Sequence, residues 1–241
     1  MRAAAFSGGA RSSKYSEQHS RVEAQVPATK SGQRDAVAVT DALRRAITAG
    51  ELAPNQRLVE ADLTEMFDAS RGAVRLALVN LTGEGLVERI QHRGARVRAI
   101  PLEEALEIVE LRAALESLCA ARAAERADDA GIARLVAIGD GMRAAVEEGD
   151  AEAYSQGNQA LHEAVFELSE MRVAPRIISQ LRAQNVRYRI RLAMHRDRPA
   201  VSLPEHLAII DAIAAHDADA AAAAMRAHLT SVLAATREYF G

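Results

Sequence analysis

Residues 68–98 read DASRGAVRLALVNLTGEGLVERIQHRGARVR, and the reading of this stretch decides the fold. Ser70 suits a helix N-cap, because its hydroxyl can accept from a backbone N–H that the first helical turn leaves unpaired. Behind it Val74, Ala77, Leu78 and Leu81 recur at helical spacing, which predicts a helix from Arg71 to about Thr82, closed by Gly83 and Gly85. Leu86-Val87-Glu88-Arg89-Ile90 and Ala95-Arg96-Val97-Arg98 then alternate apolar and polar residues around a glycine-containing tip, Gln91-His92-Arg93-Gly94. That alternation predicts a β-hairpin.

Upstream, Val39, Leu43, Ala46 and Ile47 mark one face of a helix that stops at Ala49-Gly50, before a turn through Pro54-Asn55. A second short helix is expected with Leu58, Leu63, Met66 and Phe67 as its apolar positions. Three helices and a two-stranded wing make a winged helix-turn-helix over residues 35–99. Residues 1–34 mix Ser, Gly, Gln, Arg and Ala without helical or strand period and read as a disordered tail. Everything after Pro101 reads helical, with helices expected at 103–126, 129–148, 150–169, 172–196, 203–215 and 217–240. Breaks are expected at Asp128, Gly149-Asp150, Glu170-Met171, Pro199 to Pro204 and His216-Asp217. The fold class is therefore mainly α, a winged helix-turn-helix followed over 102–241 by a six-helix antiparallel bundle.

Composition agrees with that reading. Of 241 residues 49% are apolar and only 3% aromatic, with no Trp, a balance suited to packed helices rather than aromatic-rich sheets. Cys119 is the one cysteine, so no intramolecular disulfide can form and a reducing, cytoplasmic setting is expected. No apolar run approaches the roughly 20 residues that span a membrane. Residues 1–100 carry a net charge of +4 and residues 101–241 a net of −7, the asymmetry of a nucleic-acid-binding module joined to a non-binding one.

In a helix-turn-helix the second helix enters the major groove with its first turn facing the bases. Here that turn carries Ser70, Arg71 and Arg75, the two arginines sharing a face. Arginine there can pair with a phosphate or with guanine O6 and N7. Arg93, Gly94 and Arg96 at the wing are placed to reach an adjacent groove or backbone, and Arg44 and Arg45 on the first helix can add phosphate contacts. Each arginine alone reads equally well as solvated charge. Their clustering at one helix start and one hairpin tip favours DNA.

Three histidines stand out in the second half: His162, His206 and His228, each near the apolar face of an expected helix. Asn158 sits one turn before His162 on the same face. A lone histidine on such a face is more often a satisfied core group than a ligand. Imidazoles from three helices can nonetheless converge on a divalent transition metal (Zn, Ni or Fe), and an open position would let it hold a carboxylate. A hydrolytic metal site would want a general base, but no HExxH motif is present and Glu163, which follows His162, points to another face.

The series Leu43-Arg44-Arg45-Ala46-Ile47, Gly50-Glu51-Leu52-Ala53-Pro54, Arg57-Leu58-Val59-Glu60, Ser70-Arg71, Val74-Arg75, Ala77-Leu78, Glu84-Gly85-Leu86-Val87 and Arg93-Gly94-Ala95-Arg96-Val97 resembles the winged helix of GntR-family regulators over about 36–98. Asn55 stands where that family usually has Gly after the turn proline, and Gly72-Ala73 where it usually has Thr-Pro, which removes one hydroxyl contact to phosphate. Arg112 with Leu115-Glu116, Gly149-Asp150, Asn158/His162 with Phe166, Glu205-His206 and His228-Leu229 resemble the FCD ligand-binding domain of the FadR-like subfamily. Six helices would match its shorter, vanillate-regulator-like branch.

The resemblance implies a homodimeric transcription regulator, with repression the expected sign, bound to a pseudo-palindromic double-stranded operator and controlled by a small organic or sugar acid. It implies a metal site at Asn158, His162, His206 and His228, with Asn where Asp is usual. It implies that Arg112 meets the effector carboxylate, although an ion pair with Glu110 or Glu116 is the other use of that residue. Arg187, Arg189 and Arg191 crowd the fourth helix of this half; periodicity does not choose among them, and Arg191 is the candidate for the cavity. Two other functions remain open to the sequence: a DNA-binding protein whose helical domain only dimerises, and a helical-bundle metalloenzyme.

Overall fold

A computed structural model describes residues 34–90, 94–193, 195 and 197–241. The tail expected over 1–34 therefore lies outside the described residues, apart from Arg34.

The first core is built on three helices. In α1 (Ala36–Thr48) Asp35 accepts from the Ala38 N–H at 2.8 Å and so caps the helix, which buries Val39, Leu43 and Ile47 at four-residue spacing. The second helix, α2 (Glu60–Phe67), ends on Asp68 in the left-handed region. The third, α3 (Arg71–Gly83), starts on Ser70, whose hydroxyl accepts from the Ala73 N–H at 3.1 Å, and buries Val74, Ala77, Leu78 and Leu81 as expected.

The wing is larger than the sequence suggests. Strands β2 (Val87–Ile90) and β3 (Gly94–Val97) pair as the expected hairpin, but β1 (Arg57–Leu58) adds to the other side of β3. Leu58 is thus a strand residue opposite Ala95, not a position of the second helix, and Met66 is 54% exposed rather than buried. A two-residue strand is too short to display alternation, so the helical period that follows captures it. Asn55, with φ +66°, takes the left-handed turn that precedes β1, a conformation asparagine tolerates better than most residues with a Cβ.

The remaining helices are α4 (Leu102–Arg126), α5 (Asp129–Glu148), α6 (Ala151–Leu168), α7 (Ala174–Gln184), α8 (Val186–Ala193), α9 (Arg198–Ala214) and α10 (Ala218–Phe240). Three of the expected breaks are aspartate caps: Asp128, Asp150 and Asp217 each accept from the backbone N–H three residues on, at 2.8, 2.9 and 2.9 Å. Helix α4 is central, packing against α6, α7, α9 and α10, while α5 lies against α6 and α9. Leu135, Met142, Leu161, Val165, Ile209, Ile213, Met225 and Leu229 fill the space between them.

Two expectations need correction. The helix read over 172–196 is two, α7 and α8, separated at the buried Asn185, so this half has seven helices among the described residues and the count that pointed to the shorter branch is removed. The stretch from Pro199 to Pro204 is not a break. Pro199 sits in the first turn of α9, where its missing N–H has no helical acceptor to lose, and Pro204 is carried inside the helix.

The halves touch through the α7–α8 region. Ala183 packs against the winged-helix core, and Gln184 Nε2 donates to the Glu84 carbonyl at 2.7 Å. A small third core joins Ile100, Ala105, Ile108 and Tyr188, and the Tyr188 hydroxyl donates to the Ile100 carbonyl at 3.3 Å.

Candidate functional site

The outward side of α3 carries Arg71, Gly72, Arg75, Leu76 and Val79, all exposed. Arg71 has no ion-pair partner among the described residues, whereas Arg75 Nε lies 2.7 Å from Glu60 Oε2. Leu76 and Val79 are 52% and 48% exposed, large apolar groups turned away from the core on the very helix expected to read bases. Sequence reasoning passed over them, although both fall off the Val74, Ala77, Leu78, Leu81 face.

Across the sheet, Arg57 stands opposite Arg96, and Arg96 opposite Glu88, to which its Nε donates at 2.6 Å. Arg57 is a cation that sequence reasoning did not single out, because it was not known to be part of the wing. Gly94 opens β3 with φ +87°, and Arg93 lies outside the described residues. Of the two arginines on α1, Arg45 is exposed. Arg44 is not a free phosphate contact: its guanidinium grips Glu84 through Nε and Nη2 at 2.7 and 2.6 Å and reaches Asp41 through Nη1 at 2.5 Å. Its bidentate hold ties α1 to the end of α3.

In the helical half, His162 from α6, His206 from α9 and His228 from α10 come together, with one ring nitrogen from each lying within 4.8 Å of the others. All three rings are buried. Their protonation can be read from their neighbours. The Ser202 hydroxyl donates to the Arg198 carbonyl at 2.9 Å, which can only accept. The Ser202 oxygen, 2.6 Å from the Tyr154 oxygen, therefore accepts the Tyr154 O–H. The Tyr154 oxygen, 3.0 Å from His206 Nδ1, in turn accepts an Nδ1–H. That leaves the lone pair of His206 on Nε2, a buried atom with no partner among the described residues.

His228 Nδ1 lies 2.9 Å from Glu205 Oε2, which as a carboxylate accepts. His162 Nδ1 lies 2.8 Å from Glu116 Oε2, out of line for a well-formed hydrogen bond. With the Nδ1 atoms of His206 and His228 engaged by oxygens, their Nε2 atoms are left for a metal, the arrangement that fixes ligand orientation in metal sites. Burial lowers His162 to about 4, with Glu116 opposing, and holds His206 well below its usual range, so both rings stay in the neutral, ligating form. Asn158 Oδ1 is a second buried acceptor without a partner, and Asn158 lines the same cavity. Two orphaned acceptors and three converging imidazoles fit a divalent transition ion.

That cavity has a volume of about 150 Å³. Four arginines line it: Arg112, Arg182, Arg189 and Arg198. Arg112 Nε lies 2.7 Å from Glu116 Oε1, the ion pair that the sequence offered as its other use, and the residue also lines the cavity. Glu116 is fully buried; burial would raise its pKa, but Arg112 and His162 outweigh that and keep it ionised. Arg191 is not in this cavity. Its guanidinium lies 5.0 Å over the Phe240 ring, and Arg189 and Arg182 take the place expected of it. Arg182 was missed, though its seven-residue spacing from Arg189 would put both on one face of a helix.

Comparisons with known proteins follow the same division. The profile for "Bacterial regulatory proteins, gntR family" matches residues 36–97, and that for the "FCD domain" matches residues 107–231. The uncharacterized HTH-type transcriptional regulator BphR of Paraburkholderia xenovorans is 30% identical over 204 residues, covering 82% of this chain and 83% of the relative. The HTH-type transcriptional repressor RspR of Escherichia coli is 28% identical over 196 residues, covering 81% and 86%. Among solved structures, McbR/YncC of E. coli superposes with a TM-score of 0.72 at 21% identity, over 86% of this chain and 98% of that one.

Proposed function

The chain belongs to the GntR family of bacterial regulatory proteins and carries an FCD domain, and from that premise we propose that its hold on DNA is set by a small carboxylate bound beside a metal in the helical half. It is a transcription regulator, not an enzyme, as are the relatives it matches. The metalloenzyme reading falls with that, and Glu163, the residue nearest in sequence to a general base, is exposed and bound by Gln159 at 2.8 Å.

The observation that carries the proposal is the convergence of one ring nitrogen from each of His162, His206 and His228 to within 4.8 Å, at a cavity with arginines in its wall. His162, His206 and His228 would hold the ion, with Asn158 beside them. When bound, it offers an open coordination position to a carboxylate oxygen. Glu116 and Glu205 orient two of the rings and Tyr154 the third, while Arg112 supplies a guanidinium to the ligand. Asn158→Asp is expected to tighten zinc by about tenfold, because a carboxylate is the stronger donor. Competition against a chromophoric chelator measures this, and an unchanged affinity removes residue 158 from the ligand set.

Arg71, Arg75 and Ser70 would meet the operator from α3, and Arg45, Gly94 and Arg96 its flanks, with Arg93 outside the described residues. A homodimer would present two such helices to a pseudo-palindrome. Repression is the proposed sign, by likeness to RspR. Among the described residues no helix is long and apolar enough to cross a membrane, which accords with a cytoplasmic site of action.

The route between sites is the α7–α8 region. Arg182 and Arg189 line the cavity, and Gln184, between them, holds the Glu84 carbonyl while the Glu84 carboxylate holds Arg44. The contact is close: a Cβ on Gly85 would stand 2.7 Å from Gln184 Nε2. Gln184→Ala is expected to shrink the ligand's effect on operator affinity by roughly fivefold while ligand binding to the DNA-free protein stays near its original strength. An unchanged ratio of operator affinities with and without ligand would place the route elsewhere.

The experiment that tests the function is selection of genomic DNA fragments on the purified protein at two salt concentrations, followed by sequencing. Enrichment of one short palindrome at both salts is expected. Binding without sequence preference that vanishes with salt would reduce the protein to phosphate attraction.

A further inference from the structure

The four arginines of the cavity are not alike. Arg112 is paired with Glu116, and Arg198 with Glu205 at 3.3 Å and Ser231 at 2.9 Å. Among the described residues no Asp or Glu lines the cavity itself. Arg182 has no side-chain hydrogen bond or ion pair among the described residues, and Arg189 has only the Arg182 carbonyl, at 3.3 Å. That carbonyl belongs to the last turn of α7, which ends at Gln184, and α8 begins at Val186. The break at Asn185 thus stands between the two cations, and the bond across it holds Arg189 against the end of the helix that bears Arg182.

Guanidiniums gathered in a partly buried wall repel one another and lose hydration, a cost that a protein normally offsets with a carboxylate. Burial first, then Arg182 and Arg112, push Arg189 down to about 9, with Glu116 opposing. One ligand carboxylate, placed at the histidines and Arg112, would leave Arg182 and Arg189 unneutralised.

We propose that the effector is a dianion: one carboxylate lies at the His162/His206/His228 and Arg112 end, and a second anionic group, carboxylate or phosphoryl, is held by Arg182 and Arg189. This rests on the carboxylate-effector reading above and deepens it. Two guanidinium forks on either side of a helix break form a site for an oxyanion whose two or three oxygens accept several charge-assisted hydrogen bonds. The same two residues flank Gln184, so the second anion binds at the segment that contacts the winged helix.

Calorimetry on the full chain, zinc-loaded and metal-stripped, tests this with matched probes: propionate, butyrate and valerate against malonate, succinate and glutarate, and phosphoglycolate for the phosphoryl arm. At least one dianion should bind the wild-type protein about tenfold or more tighter than the monoanion of equal chain length. In R182Q and R189Q that preference should collapse to near unity. Preference for phosphoglycolate over the dicarboxylates would identify the second group as phosphoryl, and the reverse as carboxylate. Equal binding of mono- and dianions by the wild-type protein would overturn the dianion inference while leaving a carboxylate effector standing. A dianion preference that survives both substitutions would overturn the assignment to Arg182 and Arg189. Failure of every anion to bind, with zinc present, would overturn the carboxylate-effector reading and this inference with it.

Discussion

Replacing His206 with alanine should weaken zinc binding by at least about a hundredfold, since even the loss of a partner behind a ligand costs tenfold to a hundredfold. His206 is the histidine whose state is best determined. Its Nδ1–H is committed through Tyr154 and Ser202 to the Arg198 carbonyl, and its Nε2 is buried with nothing else to bind. The substitution removes that lone pair and leaves the others to hold the ion without it. Zinc should also raise the stability of the wild-type protein, by about 4 kcal/mol at a thousandfold excess over its dissociation constant, and should do far less for the variant. The variant loses a packed side chain and some stability for that reason alone, so the informative quantity is the increment on adding zinc. Equal increments in the two proteins would show that the zinc sits elsewhere.

The second large effect lies on the DNA face. Arg71→Ala should cost about 1–3 kcal/mol on the operator, roughly fivefold to 150-fold, if its fork meets a guanine edge. Arg71 is exposed in the first turn of α3 and unpaired among the described residues, while Arg75 must first leave Glu60. The Ser70 cap sets the orientation of that turn. Anisotropy titrations on operator and scrambled duplexes at one salt concentration separate the possibilities. Loss confined to the operator marks a base contact. An equal loss on both marks a phosphate contact. No loss on either would take Arg71 off the interface.

Much of the fold was legible because its signals are local. Ser70, Val74, Leu78 and Leu81 give the recognition helix, and Asp128, Asp150 and Asp217 mark the starts of α5, α6 and α10. The misreadings came where local chemistry is neutral and tertiary contacts decide. Leu58 belongs to a strand that exists only because β3 is there to pair with it. Asn185 is no strong breaker, yet it is buried beside Ala105, and the helix stops there. Pro204, a strong breaker by rule, is carried within α9.

The candidate site divides along the same line. The histidines could be named because they fall on apolar helix faces and resemble a known constellation. Their orientation depends on Tyr154 for His206, Glu116 for His162 and Glu205 for His228, each on a different helix from the ring it faces, and no spacing rule reports that. Arg191 and Arg189 are two residues apart on α8, and only the packing of Arg191 over Phe240 shows which of them faces the cavity. Arg44 looked free in sequence because its partner Glu84 is 40 residues away.

The most direct measurement is the operator affinity of the zinc-loaded protein, taken with and without a saturating dicarboxylate that calorimetry has shown to bind. Ligand should weaken operator binding by about five- to a hundredfold, the usual range of coupling between two sites, and the change should vanish in Arg112→Ala at the same ligand concentration. Operator affinity that is indifferent to a ligand demonstrably in the cavity would contradict effector control and leave the helical half as a dimerising unit.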